Sequence, residues 1–317
     1  MKKATREALG AEILKLGMEH DDVFVVDCDV AKSCKTLDFA EKLPKQHINV
    51  GISEQNAMGI AAGLATARRA SVTLGYSCKI PFVVTYAIFG SLRAVEQLRQ
   101  EACYTKLPVK VLCSHGGLTP ANDGASHQCI EDMGILRTIP NMTVIMPADY
   151  ASACKLIEQA YAYPGPVYLR FTRDAIPCIY DEDETFEIGK AKKVKAGSNL
   201  TIFANGDTLS LAVEAAKELE NDGISAEVYD MHTIKPLDVE AVRGAIEKSG
   251  KIITVEDHNI INGLGSAVCE VAAEMGKGRV LRVGVQDQFG ESAPYEKLLE
   301  KNGITVENIC AKAKELM

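Results

Sequence analysis

The chain has 317 residues, enough for about two domains with ordinary cores. Its net charge of −8 argues against nucleic acid as the main partner, and no apolar run reaches the roughly 18 residues that cross a bilayer. A hydrophobic content of 47% and a charged content of 25% are those of a soluble globular protein.

Met1-Lys-Lys is basic, but residues 4–20 then repeat apolar positions at helical spacing instead of forming an apolar signal core, so a cytoplasmic protein is expected. Val23–Asp27 reads as a buried strand. Ser53–Ala67 reads as a helix of small and apolar residues. Val72–Leu74 is a strand candidate, and Pro81–Thr85 is a firmer one. Residues 88–104 read as a helix and Val109–Cys113 as a strand ending in the polar stretch Ser114–Gln128. A strand at Thr143–Met146, a helix at Tyr150–Tyr163 and a strand at Val167–Phe171 follow. The acidic run Asp181–Glu187 reads as a linker. Strands at 200–204, 225–230, 252–255 and 279–285 then alternate with helices at 208–221, 238–248 and 264–275.

Alternating strand and helix imply an α/β fold with two mainly parallel sheets. We expect one domain at 1–180, a linker at 181–189 and a second domain at 190–317. The ten cysteines are scattered, with no Cys-x-x-Cys pair, and read as small buried hydrophobes of a reducing compartment. No residue spacing is characteristic of a metal site, so none is expected on this chain.

Ligands of open parallel sheets bind beyond the carboxyl ends of the strands. Asp29, Ser33, Glu54, His115, Asp123, His127 and Arg173 can share that edge. Histidines and carboxylates together supply acid–base groups. Each also has a structural reading. Glu54 in a first helical turn suits the helix dipole, His115 beside two glycines could cap a turn, and Asn122-Asp-Gly is a plausible turn. A dinucleotide glycine fingerprint and a Gly-x-Ser-x-Gly elbow are absent.

Taken together, the motifs resemble the C-terminal half of transketolases, its pyrimidine-binding domain followed by its C-terminal domain. The segments that carry the resemblance are Ala4-Thr-Arg-Glu, Gly51-Ile-Ser-Glu-Gln-Asn, Pro81–Phe89, Asp123-Gly-Ala-Ser-His-Gln128, Pro140–Pro147 and Gly165–Arg173. Thr233-Ile-Lys-Pro-Leu237 and Thr254-Val-Glu-Asp-His258 extend it into the second half.

The resemblance implies thiamin diphosphate as cofactor. Glu54 would hold the aminopyrimidine ring nitrogen, with Phe89 stacked on the ring, Tyr86 and Ile88 beside it, and Asp29 nearby. His127 would act as acid–base partner at the reacting carbon, with Asp123 reading substrate hydroxyls. Arg6, Ser33, His115 and Arg173 would hold the sugar phosphate, a dianion that suits paired arginines.

There are departures. Arg68–Cys78 looks like an insertion, and Tyr86 stands where phenylalanine is usual. The Gly-Asp-Gly run and downstream Asn that hold a divalent cation and the diphosphate are not found. The resemblance therefore implies a subunit of a split transketolase. It would act with an N-terminal diphosphate-binding partner, which holds Mg2+ or Ca2+, in an α2β2 assembly, and transfer ketol units between sugar phosphates. Two related alternatives are the beta subunit of a 2-oxoacid dehydrogenase, which lacks the Asp123–Gln128 signature, and deoxyxylulose-phosphate synthase, normally one long chain with His at the position of Asn56. A non-catalytic scaffold with the same fold is the alternative of another class.

Overall fold

Every strand of the first sheet's centre is buried on both faces, so its sequence reads as an unbroken apolar run whose side chains part to opposite sides. Val25, Phe82, Val84 and Leu112 face a core shared with Leu9, Ile13 and Ile157. Their neighbours Val26, Val83, Val111 and Cys113 face another, shared with Ala57, Ala61, Ala65 and Met133. The first core lies under the helices Thr5–Glu19 and Tyr150–Ala162, and the second under the helix Glu54–Leu74. The small side chains of Ala57, Ala61 and Ala65 let that helix approach the strands closely.

This computed structural model describes residues 1–74 and 79–317, and side chains outside 67–78. In chain order the strands are β1 Lys2–Lys3, β2 Val23–Asp27, β3 His47–Asn49, β4 Ile80–Tyr86, β5 Lys110–Ser114, β6 Thr143–Ile145, β7 Val167–Arg170 and β8 Ile176–Pro177. They continue with β9 Lys192–Lys195, β10 Leu200–Ala204, β11 Ala226–Asp230, β12 Thr233–Lys235, β13 Lys251–Asn259 and β14 Arg279–Val285. The first sheet has the order β12-β6-β7-β5-β4-β2-β3 and the second β14-β13-β10-β11-β9. Neighbours are parallel except at two edges, where β12 runs antiparallel to β6 and β9 antiparallel to β11.

The β12 edge crosses the expected division of the chain. Thr233 pairs with Ile145, and Ile234 is buried in the same core as Val144 and Tyr168. The second half thus completes the sheet of the first. Asp149 begins the Tyr150–Ala162 helix with a reciprocal cap to Ser152. Its other carboxylate oxygen accepts from the Ile179 and Tyr180 amides at 2.8 Å each, which fixes the exit from the first sheet.

Three expectations are corrected. Val72–Leu74 is not a strand but the end of the Glu54–Leu74 helix. Two β-branched residues are too few to stop a helix that meets no Gly or Pro between Leu64 and Leu74. The tail of the inferred Arg68–Cys78 insertion, residues 75–78, lies outside the described residues. The helix expected over 88–104 is present but irregular, with wide π-type turns at Phe89–Arg93 and Leu98–Tyr104 around a short α-helical piece at Val95–Gln97. The strand expected at 252–255 runs instead over Lys251–Asn259.

Candidate active site

Glu54 opens its helix at the carboxyl end of the first sheet and is 2% exposed. A carboxylate this buried needs partners. Its Oε1 accepts from the Thr85 hydroxyl at 3.4 Å, and its Oε2 from Arg93 Nη1 at 2.8 Å. Thr85 comes from the end of β4, just before the chain turns into the π-type segment that carries Phe89. The Arg93 guanidinium lies 4.2 Å from the centre of the Phe89 ring.

From Phe89 a line of rings runs along the sheet edge. Tyr86 lies 6.1 Å from Phe89 and stacks on His115 at 4.0 Å. His127 meets the edge of Phe89 at 5.7 Å and lies 6.3 Å from Tyr86. His115 follows β5 with a left-handed backbone, φ 63°, as Asp29 does beyond β2 with φ 65°. Such conformations are uncommon outside glycine and mark places where the surroundings dictate the backbone.

Two arginines close the far end. Thr5 and Thr172 exchange hydrogen bonds, with the Thr172 amide donating to Thr5 Oγ1 at 2.7 Å and the Thr5 amide to Thr172 Oγ1 at 3.2 Å. This clasp sets the next residue on each stretch of chain, Arg6 and Arg173, at the same end of the site. Arg6 donates to the Ser33 carbonyl at 3.0 Å, and its Nε is buried without a partner among the described residues. Arg173 donates to the Pro120 carbonyl at 2.7 Å and faces the Asp123 carboxylate at 3.7 Å. Burial, reinforced by the charges of Arg6, Arg173 and His127, pushes the His115 pKa down to about 3. His115 is therefore neutral near pH 7 and meets a ligand as a hydrogen-bonding ring rather than as a cation. Its Nδ1 lies 2.7 Å from the Ser114 hydroxyl, which is 3.1 Å from Cys34 Sγ.

The loop bearing His115 is held by the second half of the chain. Arg170, fully buried, spans Asp132 (3.4 Å) and the Asp257 carbonyl (2.6 Å). Burial alone would lower its pKa, but Asp132 and Asp257 more than offset this and raise it. The Asp257 carboxylate accepts the Leu118 amide at 2.9 Å. Gly116 and Gly117 have no room for a side chain. A Cβ would lie 2.1 Å from Arg170 at Gly116 and 2.0 Å from Asp257 at Gly117. The two glycines beside His115 thus serve the contact with Arg170 and Asp257. At the carboxyl end of the second sheet, Glu256 accepts the Leu264 and Gly265 amides at 2.7 and 2.8 Å, filling the start of the Leu264–Met275 helix. The chain's own carboxylate occupies the place where a doubly wound sheet would take a phosphate.

Two matches decide the family. Residues 1–178 match the family described as "Transketolase, pyrimidine binding domain", and residues 189–309 match "Transketolase, C-terminal domain". The chain belongs to the transketolase family. It is 41% identical to a Methanocaldococcus jannaschii protein named for the C-terminal section of a transketolase, over 99% of this chain and 96% of that one. It is 37% identical to one of the subunits of the apulose-4-phosphate transketolase of Phocaeicola vulgatus, over 99% and 97%. A solved structure described as "Split gene transketolase, inactive beta4 tetramer" is 42% identical and superimposes with a TM-score of 0.88, covering 99% of this chain and 97% of that one.

Of the candidates in this transketolase chain, Glu54, Phe89, Tyr86, His127 and His115 form one connected group, joined at its far end by Arg6, Ser33, Arg173 and Asp123. Two stand apart. Asp29 is exposed and accepts from Asn49 at 3.1 Å, and Ile88 packs into the core with Val50 and Leu92. Thr85 and Arg93 join the group without having been candidates. Thr85 lies inside the Pro81–Phe89 motif, but Arg93 carries no sequence signal beyond a helical pattern. Among the described residues no cluster of three or more His, Cys, Asp and Glu side chains could hold a metal ion, and no helix is long and apolar enough to cross a membrane.

Proposed function

We propose that this chain is the pyrimidine-side, C-terminal subunit of a two-chain transketolase. It would move a two-carbon ketol unit from a ketose phosphate to an aldose phosphate in the cytoplasm. The observation that carries the reading is the continuous edge from the buried Glu54 carboxylate, past Phe89, Tyr86 and His127, to Arg6 and Arg173. One end suits a planar nitrogen ring, the other a phosphate.

The residues fit the pyrimidine end of thiamin diphosphate. A flat N–H-donating cation, the Arg93 guanidinium, already sits between Glu54 and Phe89, so the pair accepts that shape and charge. When bound, the cofactor supplies the nucleophilic carbon and the electron sink. Glu54, oriented by Thr85, holds a proton at the pyrimidine ring nitrogen, and Phe89 and Tyr86 fix the plane of the ring. Asp29, which stands apart from this group on Asn49, would come near the cofactor only from outside it. His127 moves a proton at the substrate oxygen near the reacting carbon, and Asp123 accepts from the neighbouring hydroxyl. Arg6, Arg173, Ser33 on the short helix Ala31–Cys34 and the neutral His115 hold the phosphate and so set how far the sugar enters.

The site is one wall. Arg93 is 45% exposed and Ile52 73% exposed beside the buried Glu54, which suits a surface that another chain covers. Two similar proteins support the same view, one named as a transketolase subunit and the other described as an "inactive beta4 tetramer". The partner would bring the metal ion and the diphosphate grip, in an α2β2 assembly.

The test is Glu54→Gln, which keeps the shape but not the charge. Assembly should be unchanged while ketol transfer falls by roughly 10²–10⁴-fold. Near-normal turnover would overturn the role of Glu54. Turnover by the isolated chain, supplied with magnesium and cofactor, would overturn the need for a partner.

A further inference from the structure

We infer that Arg93 is an internal occupant of the pyrimidine site, seated where the cofactor ring must go, and that it sets cofactor affinity by competing for Glu54 and Phe89. The inference rests on the proposed function, which assigns those two residues to the pyrimidine ring. Its observations are independent of that assignment.

Arg93 makes both contacts that the ring would need. Its Nη1 donates to Glu54 Oε2 at 2.8 Å, and its guanidinium lies 4.2 Å over Phe89. A guanidinium is planar, cationic and rich in N–H donors, as a protonated aminopyrimidine is. One carboxylate oxygen and one ring face serve one flat partner at a time. Glu54 is 2% exposed, and its second partner, the Thr85 hydroxyl, is more distant at 3.4 Å. Before the ring arrives, Arg93 is the cation that neutralises this buried charge.

The segment is built so that the side chain alone has to move. Arg93 ends the wide-turn segment Phe89–Arg93, a departure from regular helix that recurs at functional positions. Its carbonyl accepts from Gln55 Nε2 at 3.2 Å, which ties the backbone to the helix that begins with Glu54. The side chain is 45% exposed, so it can rotate outward without opening the core. Release leaves Glu54 and Phe89 in place for the incoming ring. Apparent affinity is then the intrinsic affinity reduced by the fraction of molecules with Arg93 withdrawn.

The experiment measures thiamin diphosphate binding by titration calorimetry with Mg2+, using the assembled complex of this chain and its partner. Arg93→Met keeps the aliphatic stem and removes the cation, while Phe89→Ala and Glu54→Gln report whether the ring binds here at all. We expect Arg93→Met to tighten the dissociation constant about tenfold, and the other two to weaken it. Arg93→Lys, which keeps charge but not the flat face, should fall between wild type and Arg93→Met. If Phe89→Ala and Glu54→Gln weaken binding but Arg93→Met leaves it unchanged or weaker, Arg93 is not an occluding group and the inference fails alone. If none of the three changes the constant, the pyrimidine reading of the site fails and the inference falls with it.

Discussion

His115 shows how a single side chain can be chemically specified by what surrounds it. Burial and the cations Arg6 and Arg173 keep the ring neutral, with a folded pKa of about 3 against about 6.5 when unfolded. The unfolded chain therefore binds more protons between those values. The stability this group contributes is complete above pH 6.5 and is lost as pH falls toward 3. Replacing His115 with Gln should reduce the fall in unfolding free energy between pH 7 and pH 5 by about 2 kcal/mol, measured by urea titration at each pH. An identical pH dependence in both proteins would mean that His115 is solvated. At this scale the sequence is informative where a residue sits inside a motif, as Glu54, Phe89 and His127 do. It is silent about Arg93, because a helical pattern does not say which tertiary partner a surface arginine will find.

At the scale of elements, the apolar runs of β2, β4, β5 and β7 are legible because strands buried on both faces leave a dense signal. Short edge strands are not. Thr233-Ile-Lys-Pro-Leu237 is conspicuous as a motif, yet nothing local reveals that β12 crosses to the first sheet, since three residues carry no period. Ile234 is 2% exposed within the first core, and Lys235 Nζ donates to the Arg137 carbonyl at 2.9 Å. Ile234→Ala should cost about 2–4 kcal/mol. It should also lower hydrogen-exchange protection in β6 and β7, far away in sequence. Unchanged protection there would show that β12 is only an ornament of the edge. The Glu54 helix teaches the converse. Composition alone lends Val72–Leu74 strand character, but a helix already under way carries through it.

For the whole molecule, the decisive contact is the buried set around Arg170. Its guanidinium serves Asp132 from the first half and Asp257 from the second, while Tyr168 donates to Asp132 at 2.6 Å. Removing one member strands the others without water. Arg170→Met should destabilise by about 3–5 kcal/mol, and both halves should still unfold in one calorimetric transition. Two separated transitions would show that the halves are independent. The sequence suggests two units joined by an acidic linker. It does not reveal that charge pairs and a shared sheet bind them, because partners 87 residues apart leave no local trace.

The position of β12 also has a consequence for how the chain is made. Translation delivers β6, the strand that β12 pairs with, roughly ninety residues before β12, a delay on the order of 4–18 s at ordinary elongation rates. Through that interval the nascent chain carries an unpaired strand edge and a socket waiting for Ile234. Asp257, which holds the loop of His115, emerges later still. The ribosome therefore finishes the candidate catalytic edge only while it is making the half of the protein that contributes none of its reactive side chains.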